Sequence, residues 1–167
     1  MTSPAAKEPS PPYDDILARL ASLHPKRIDL TLDRMWRILE RLDHPERRIP
    51  PVIHVAGTNG KGSTCAMLEA MLTRAGYRIG VYTSPHLVRY NERVRIAGRE
   101  ASDAALADAF ERVEAARDGV PLTYFEFGTL AAWVLFASSR LDALVLEIGL
   151  GGRLDAVNAF DPDCAIL

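Results

Sequence analysis

Apolar residues recur along this chain at two different periods, and the switch between them predicts most of its elements. Helical spacing comes first. Ile16, Leu17, Leu20 and Leu23 share one face of a helix over about 14–23. Leu32, Met35, Trp36, Leu39 and Leu42 share one face of another over about 31–42. His44-Pro45 and Pro50-Pro51 then bracket a loop. From there short apolar runs alternate with helical stretches. Strands are expected at 52–56, 77–82 and 142–148, a short extended piece at 93–97, and the start of a further strand at 164–167. Between them lie a helix at 61–75 closed by Gly76, a helix at 103–118 opened by Ser102-Asp103, and a more apolar helix from Thr123 to about Ser139. This alternation predicts an α/β fold: a mostly parallel sheet with helices on both faces.

The ends read differently from the middle. Pro4, Pro9, Pro11 and Pro12 among small polar residues predict a disordered tail over 1–12, leaving one folded unit at 13–167. The final apolar run, Cys164 to Leu167, has no polar ending, which predicts a strand cut from a longer protein. Composition narrows the class without deciding it. A chain of 167 residues with 48% hydrophobic and 25% charged residues can bury a real core. The net charge of −2 carries no footprint for nucleic acid or a membrane surface. The expected setting is the cytoplasm, with Cys65 and Cys164 as buried, reduced thiols, and nothing demands a partner chain, so a monomer is expected.

Chemistry concentrates where the first core strand ends. Residues 52–64 read Val-Ile-His-Val-Ala-Gly-Thr-Asn-Gly-Lys-Gly-Ser-Thr, a strand running into a glycine-rich turn and then a helix. Gly57, Gly60 and Gly62 are expected to free the backbone for positive φ and close approach to an anion, with the N–H groups of Thr58 and Asn59 and the helix N-terminus aimed at it. Lys61 would meet the terminal phosphates, and Ser63 or Thr64 would offer a hydroxyl to Mg²⁺. The spacing, Gly-x-x-Gly-Lys-Gly-Ser, is more compact than the commonest phosphate loop. Lysine is otherwise confined to Lys7 and Lys26, so its placement here carries weight.

Other candidates gather at the carboxyl ends of strands, where ligands of open α/β sheets bind. Glu147 closes an apolar strand ahead of Gly149-Leu-Gly-Gly152 and is placed to hold the metal of a bound nucleotide; the competing role is an ion pair with Arg153. Ser84, after the second strand, is either a further oxygen ligand or a turn cap. His86 is a lone loop histidine, and Asn91-Glu92-Arg93 with Arg95 fit a solvated loop as well as a binding one. Tyr124-Phe125-Glu126-Phe127 would stack on a flat heteroaromatic ligand and accept its N–H groups, or would simply pack in the core. Arg153-Leu-Asp155 would bind a carboxylate or pair internally.

Several segments together resemble one family. They are His54-Val-Ala-Gly-Thr-Asn-Gly-Lys-Gly-Ser63, Tyr82-Thr-Ser-Pro-His-Leu87, Asn91-Glu-Arg-Val94, Leu122-Thr-Tyr-Phe-Glu-Phe127 and Leu146-Glu-Ile-Gly-Leu-Gly-Gly-Arg-Leu-Asp155. They are similar to the folylpolyglutamate synthase/dihydrofolate synthase family, related to the Mur ligases, over about residues 13–167. The resemblance implies the N-terminal part of a P-loop, Mur-ligase-like ATP-binding domain, without the C-terminal glutamate-ligase domain. It also implies that a histidine metal ligand and a carbamylated lysine lie outside the chain, which would be inactive alone. Thr58, Asn59, Gly60 and Lys61 would contact ATP, and Ser84 and Glu147 would bind Mg²⁺. Ile28-Asp29-Leu30, Thr123 to Glu126 and Leu154-Asp155-Ala156 would line the pterin site. Val157 stands where the family more often has threonine. The implied activity joins L-glutamate to dihydropteroate or a reduced folate through an acyl phosphate. The alternatives are another Mur-type or P-loop nucleotide-dependent enzyme, or an inert nucleotide-binding fragment.

Overall fold

The structure, a computed structural model, describes residues 11–23 and 31–167. The expected pterin contacts Ile28, Asp29 and Leu30 and almost all of the expected tail lie outside the described residues. Five α-helices are described: α1 (Asp14–Leu23), α2 (Asp33–Arg41), α3 (Lys61–Arg74), α4 (Asp103–Arg117) and α5 (Tyr124–Ser138). The strands are β1 (Val52–Val55), β2 (Ile79–Tyr82), β3 (Val94–Ile96), β4 (Arg99–Glu100), β5 (Ala143–Glu147) and β6 (Cys164–Ile166).

They form one sheet in the order β4-β3-β2-β5-β1-β6. β2, β5, β1 and β6 run parallel, and the β3-β4 hairpin adds an antiparallel margin. The predicted α/β class with a mostly parallel sheet is the observed one. Both faces carry helices, unequally. Val55, Cys65, Ile79, Val81 and Val145 make a small core beneath α3. The opposite face holds the main core, with α1, α2, α4 and α5 contributing Leu17, Met35, Phe110, Leu130 and Trp133. α5 is buried from Glu126 through Phe136, which its uninterrupted apolar sequence requires. Its start is fixed by a capping box. Thr123 Oγ1 accepts the Glu126 N–H at 3.2 Å, and Glu126 Oε2 accepts the Thr123 N–H at 2.7 Å.

Three local expectations need correction. The strand expected at 77–82 begins only at Ile79. Gly76 adopts φ +93 and the Tyr77 N–H returns to the Leu72 carbonyl at 3.1 Å, so Tyr77 still belongs to the exit from α3. Gly62 does not need positive φ, because α3 already begins at Lys61. Cys164 is exposed, since β6 has a sheet neighbour only on the β1 side, whereas Cys65 is buried under the sheet. No helix among the described residues is long and apolar enough to cross a membrane.

Candidate functional site

The turn between β1 and α3 is built by two left-handed glycines. Gly57 has φ +139 and Gly60 has φ +78, a conformation that side chains with a Cβ rarely adopt. Gly60 is also the N-cap of α3. Among the described residues, the N–H groups of residues 58–63 reach no protein acceptor. Several exposed donors around one helix start, with the positive end of the helix dipole behind them, make a cradle for an anion. Lys61 folds its ammonium onto the Gly57 carbonyl at 2.9 Å, which keeps the charge over the turn. Thr64 donates its hydroxyl proton to the Gly60 carbonyl at 3.0 Å, which leaves its oxygen lone pairs, like those of Ser63, available to a metal.

Glu147 comes to the same rim by sheet register. It pairs across β5-β1 with Val55, and the Ile148 N–H donates to the Val55 carbonyl at 2.9 Å. Its charge reaches the first turn of α3. Burial drives the Cys65 thiol up to about 12, and Glu147 is the next contributor. Glu147 is 5% exposed and makes no ion pair among the described residues, so the pairing with Arg153 does not occur. Instead its Oε2 accepts the Ser84 backbone N–H at 2.9 Å. The Ser84 hydroxyl has no partner among the described residues, so it is not a turn cap. The Glu147 carboxylate, at the end of the strand beside β1, therefore holds the backbone of a residue whose own hydroxyl is open. No group of three His, Cys, Asp or Glu side chains gathers among the described residues. A donor set this small fits Mg²⁺, which keeps waters and takes further oxygens from a nucleotide.

Next to Ser84 opens a cavity of about 320 Å³. It is lined by Thr123 to Glu126 from the start of α5, by Leu154 to Ala156, and by Thr31, Arg93, Gly149 and Leu150. Two of the three segments expected at the pterin site thus share one wall space with Ser84, while the phosphate turn lies outside the cavity. Phe125 lines the cavity and turns its ring tip toward Gly149. A Cβ on Gly149 would fall 2.8 Å from its Cζ, so glycine is required there. Tyr82 stacks on Phe125 with centroids 6.0 Å apart.

The two carboxylates of the cavity are already engaged. Glu126 takes the Thr123 N–H on one oxygen and Arg34 Nη2 on the other, at 2.9 Å. Asp155 accepts the Leu150 and Val157 N–H groups at 2.8 and 2.9 Å, which folds the glycine-rich loop over the cavity. Burial still pushes its carboxyl above the ordinary range, against those backbone donors. Sequence reasoning missed Arg34 and Gly149 and left Arg93 among loop charges. Arg34 gives no sequence signal, because its partner lies 92 residues away. His86 proves to be half-buried, with Nδ1 accepting from Arg93 Nε at 2.8 Å.

No protein-family model matches the chain. It is 51% identical over 156 residues to dihydrofolate synthase/folylpolyglutamate synthase of Escherichia coli, a match covering 93% of this chain and 37% of that protein. Escherichia coli FolC in complex with DHPP and ADP superimposes with a TM-score of 0.86 at 52% identity, over 90% of this chain and 36% of that one. The bifunctional folylpolyglutamate synthase/dihydrofolate synthase of Yersinia pestis, complexed with AMPPNP and Mn ion, gives 0.85 at 53% identity, over 90% and 37%. The chain spans about a third of the length of these relatives. Over that third, the chain matches these dihydrofolate synthase/folylpolyglutamate synthases in both sequence and fold.

Proposed function

We propose that the protein carrying this chain is an ATP-dependent ligase that joins L-glutamate to dihydropteroate and to reduced folates. One observation carries the reading. The open N–H groups of residues 58–63 follow β1, whose last residue pairs with Glu147, and Glu147 in turn holds the backbone of Ser84, which lines a cavity together with Tyr124 and Phe125. A triphosphate, a divalent ion and a flat acid are the three things such a rim accommodates together. A bare carboxylate is a poor acyl donor, so amide formation needs activation by phosphoryl transfer. The loop N–H groups and Lys61 would grip the nucleotide phosphates and neutralise charge as the acid attacks in line. Ser84 and Glu147 would hold Mg²⁺, which supplies Lewis-acid neutralisation of phosphate oxygens when bound. Phe125 and Tyr124 would lie against the pterin and Asp155 would shape the loop above it. The amine of glutamate then displaces phosphate from the acyl phosphate. Relatives whose structures hold DHPP with ADP, or AMPPNP with Mn ion, support the same set of ligands.

Removing a preorganised charge contact of this kind typically costs on the order of 10²–10³ in rate. In the full-length protein, Lys61→Ala should abolish measurable phosphate release driven by dihydropteroate and glutamate. Turnover like that of the unaltered protein would reject the assignment. Equal turnover with a UDP-sugar acceptor in place of dihydropteroate would move the protein to a Mur-type activity.

A further inference from the structure

We propose that Arg93 is the group that reads the negative charge of the acid substrate and sets the preference of the cavity for a carboxylate over a neutral analogue. The assignment rests on the ligase reading above and deepens it. Arg93 lines the cavity yet is 8% exposed. A buried cation needs compensation, and even the partly buried arginines elsewhere in this fold have it. Arg34 pairs with Glu126, Arg95 with Glu69 and Arg117 with Glu114. Arg93 has no carboxylate within ion-pair distance among the described residues. The two acids of its own cavity are taken, Glu126 by Arg34 and the Thr123 N–H, Asp155 by two backbone N–H groups. Among the described residues no carboxylate answers this charge, and the answering anion is assigned to the ligand.

The guanidinium is held for that purpose. Nε donates to His86 Nδ1 at 2.8 Å, and the central carbon sits 5.5 Å from the ring centroids of both Tyr90 and Tyr124. Aromatic faces offset part of the desolvation and fix the plane without cancelling the charge. Its backbone is equally placed. The Arg93 carbonyl accepts the Thr83 N–H at 3.0 Å, one residue before Ser84. The fixed cation thus lines the same cavity as Ser84 and Phe125, where the carboxylate of a flat aromatic acid would meet it.

The test uses the full-length protein and two probes, dihydropteroate and its carboxamide. Charge-assisted bonds predict that the unaltered protein binds the acid roughly 10–100-fold more tightly than the amide by calorimetry. Arg93→Met should shrink that ratio to within about threefold, and Arg93→Lys should keep part of it, while ADP affinity stays within about twofold in both. If Arg93→Met does not fold, Arg93→Gln makes the same comparison. A variant that keeps the full ratio, or that loses ADP binding as much as acid binding, overturns the role of Arg93. An unaltered protein that binds neither probe overturns the ligase reading itself.

Discussion

Gly128→Ala should destabilise this fold even though it improves the local helix. Gly128 lies inside α5, where replacing glycine by alanine ordinarily gains about 1 kcal/mol of helix propensity. Here the new Cβ would land on the Tyr90 hydroxyl, far inside contact distance, and 3.3 Å from the Tyr82 hydroxyl. Tyr90 has little freedom to retreat. It is 5% exposed, with Phe110 at 5.2 Å, Tyr124 at 6.0 Å and Tyr13 at 6.1 Å between ring centroids, and Arg93 against its face. Overpacking of this kind costs about 1–3 kcal/mol and occasionally more, and a wedged ring belongs at the upper end. The expected net is a loss of about 1–2 kcal/mol, or a fall of roughly 2–8 °C in Tm for a chain of this size. A control follows from the same geometry. The Tyr90 hydroxyl is buried with no hydrogen-bond partner among the described residues. Tyr90→Phe should therefore be neutral or stabilising, and should rescue Gly128→Ala with a coupling of about 1 kcal/mol or more. Urea denaturation of the four proteins measures the cycle. A Gly128→Ala variant as stable as its parent, or a cycle with no coupling, would refute this account of the packing.

Asp155→Asn should loosen the loop above the cavity. The amide nitrogen cannot accept one of the two N–H groups now bound, leaving it unsatisfied at a cost of about 1–3 kcal/mol, and dihydropteroate affinity should fall more than ADP affinity by calorimetry. His54 on β1 should make stability depend on pH near neutrality. Burial lowers its pKa below the ordinary value, opposed by Asn158 and Asp161, so the unfolded chain binds the proton first. The stability this residue contributes is present above about pH 6.5 and is lost as pH falls through the folded value. His86, lowered by its own burial and by Arg93, acts in the same direction. His54→Gln should therefore reduce the slope of stability against pH between 7 and 5 by up to about 1.4 kcal/mol per unit, read by denaturation at each pH; an unchanged slope would show that His54 does not titrate there.

Legibility in the sequence followed locality. The β1 turn and α3 were readable because strand, glycines, lysine and helix lie within thirteen consecutive residues. Glu147 was readable because one acid in an apolar strand violates its own pattern. The capping box of Thr123 and Glu126 follows the three-residue spacing that helix starts use. What escaped depends on pairs set by tertiary packing. Arg34 and Glu126 meet across α2 and α5, His86 becomes an acceptor only because β3 brings Arg93 beside its loop, and Gly128 is needed only because Tyr90 points into α5. Cys164 misled for the opposite reason. Its apolar run does form a strand, but an edge strand covered on neither side leaves its thiol exposed.

Strand alternation explains why the acid and the phosphate turn act on the same side of the sheet. Val55 and Glu147 are lateral partners and so point to one face, and Val145, two residues earlier on β5, packs with Val55 and Cys65 beneath α3. Glu147 must then face the start of α3, where the open N–H groups are, and the raised Cys65 thiol registers its charge there. Leu144 and Leu146 point the other way, into the core against α5. β5 lies between β1 and β2, so one carboxylate sits within reach of the turn that follows each. Slipping β5 by a single residue would turn Glu147 into the apolar core and Leu146 toward the open N–H groups at the start of α3. The apolar residues of β5 that hold register therefore also place Glu147, and a substitution at Val145 or Leu146 that disturbed pairing would weaken the proposed metal site before it touched any polar group.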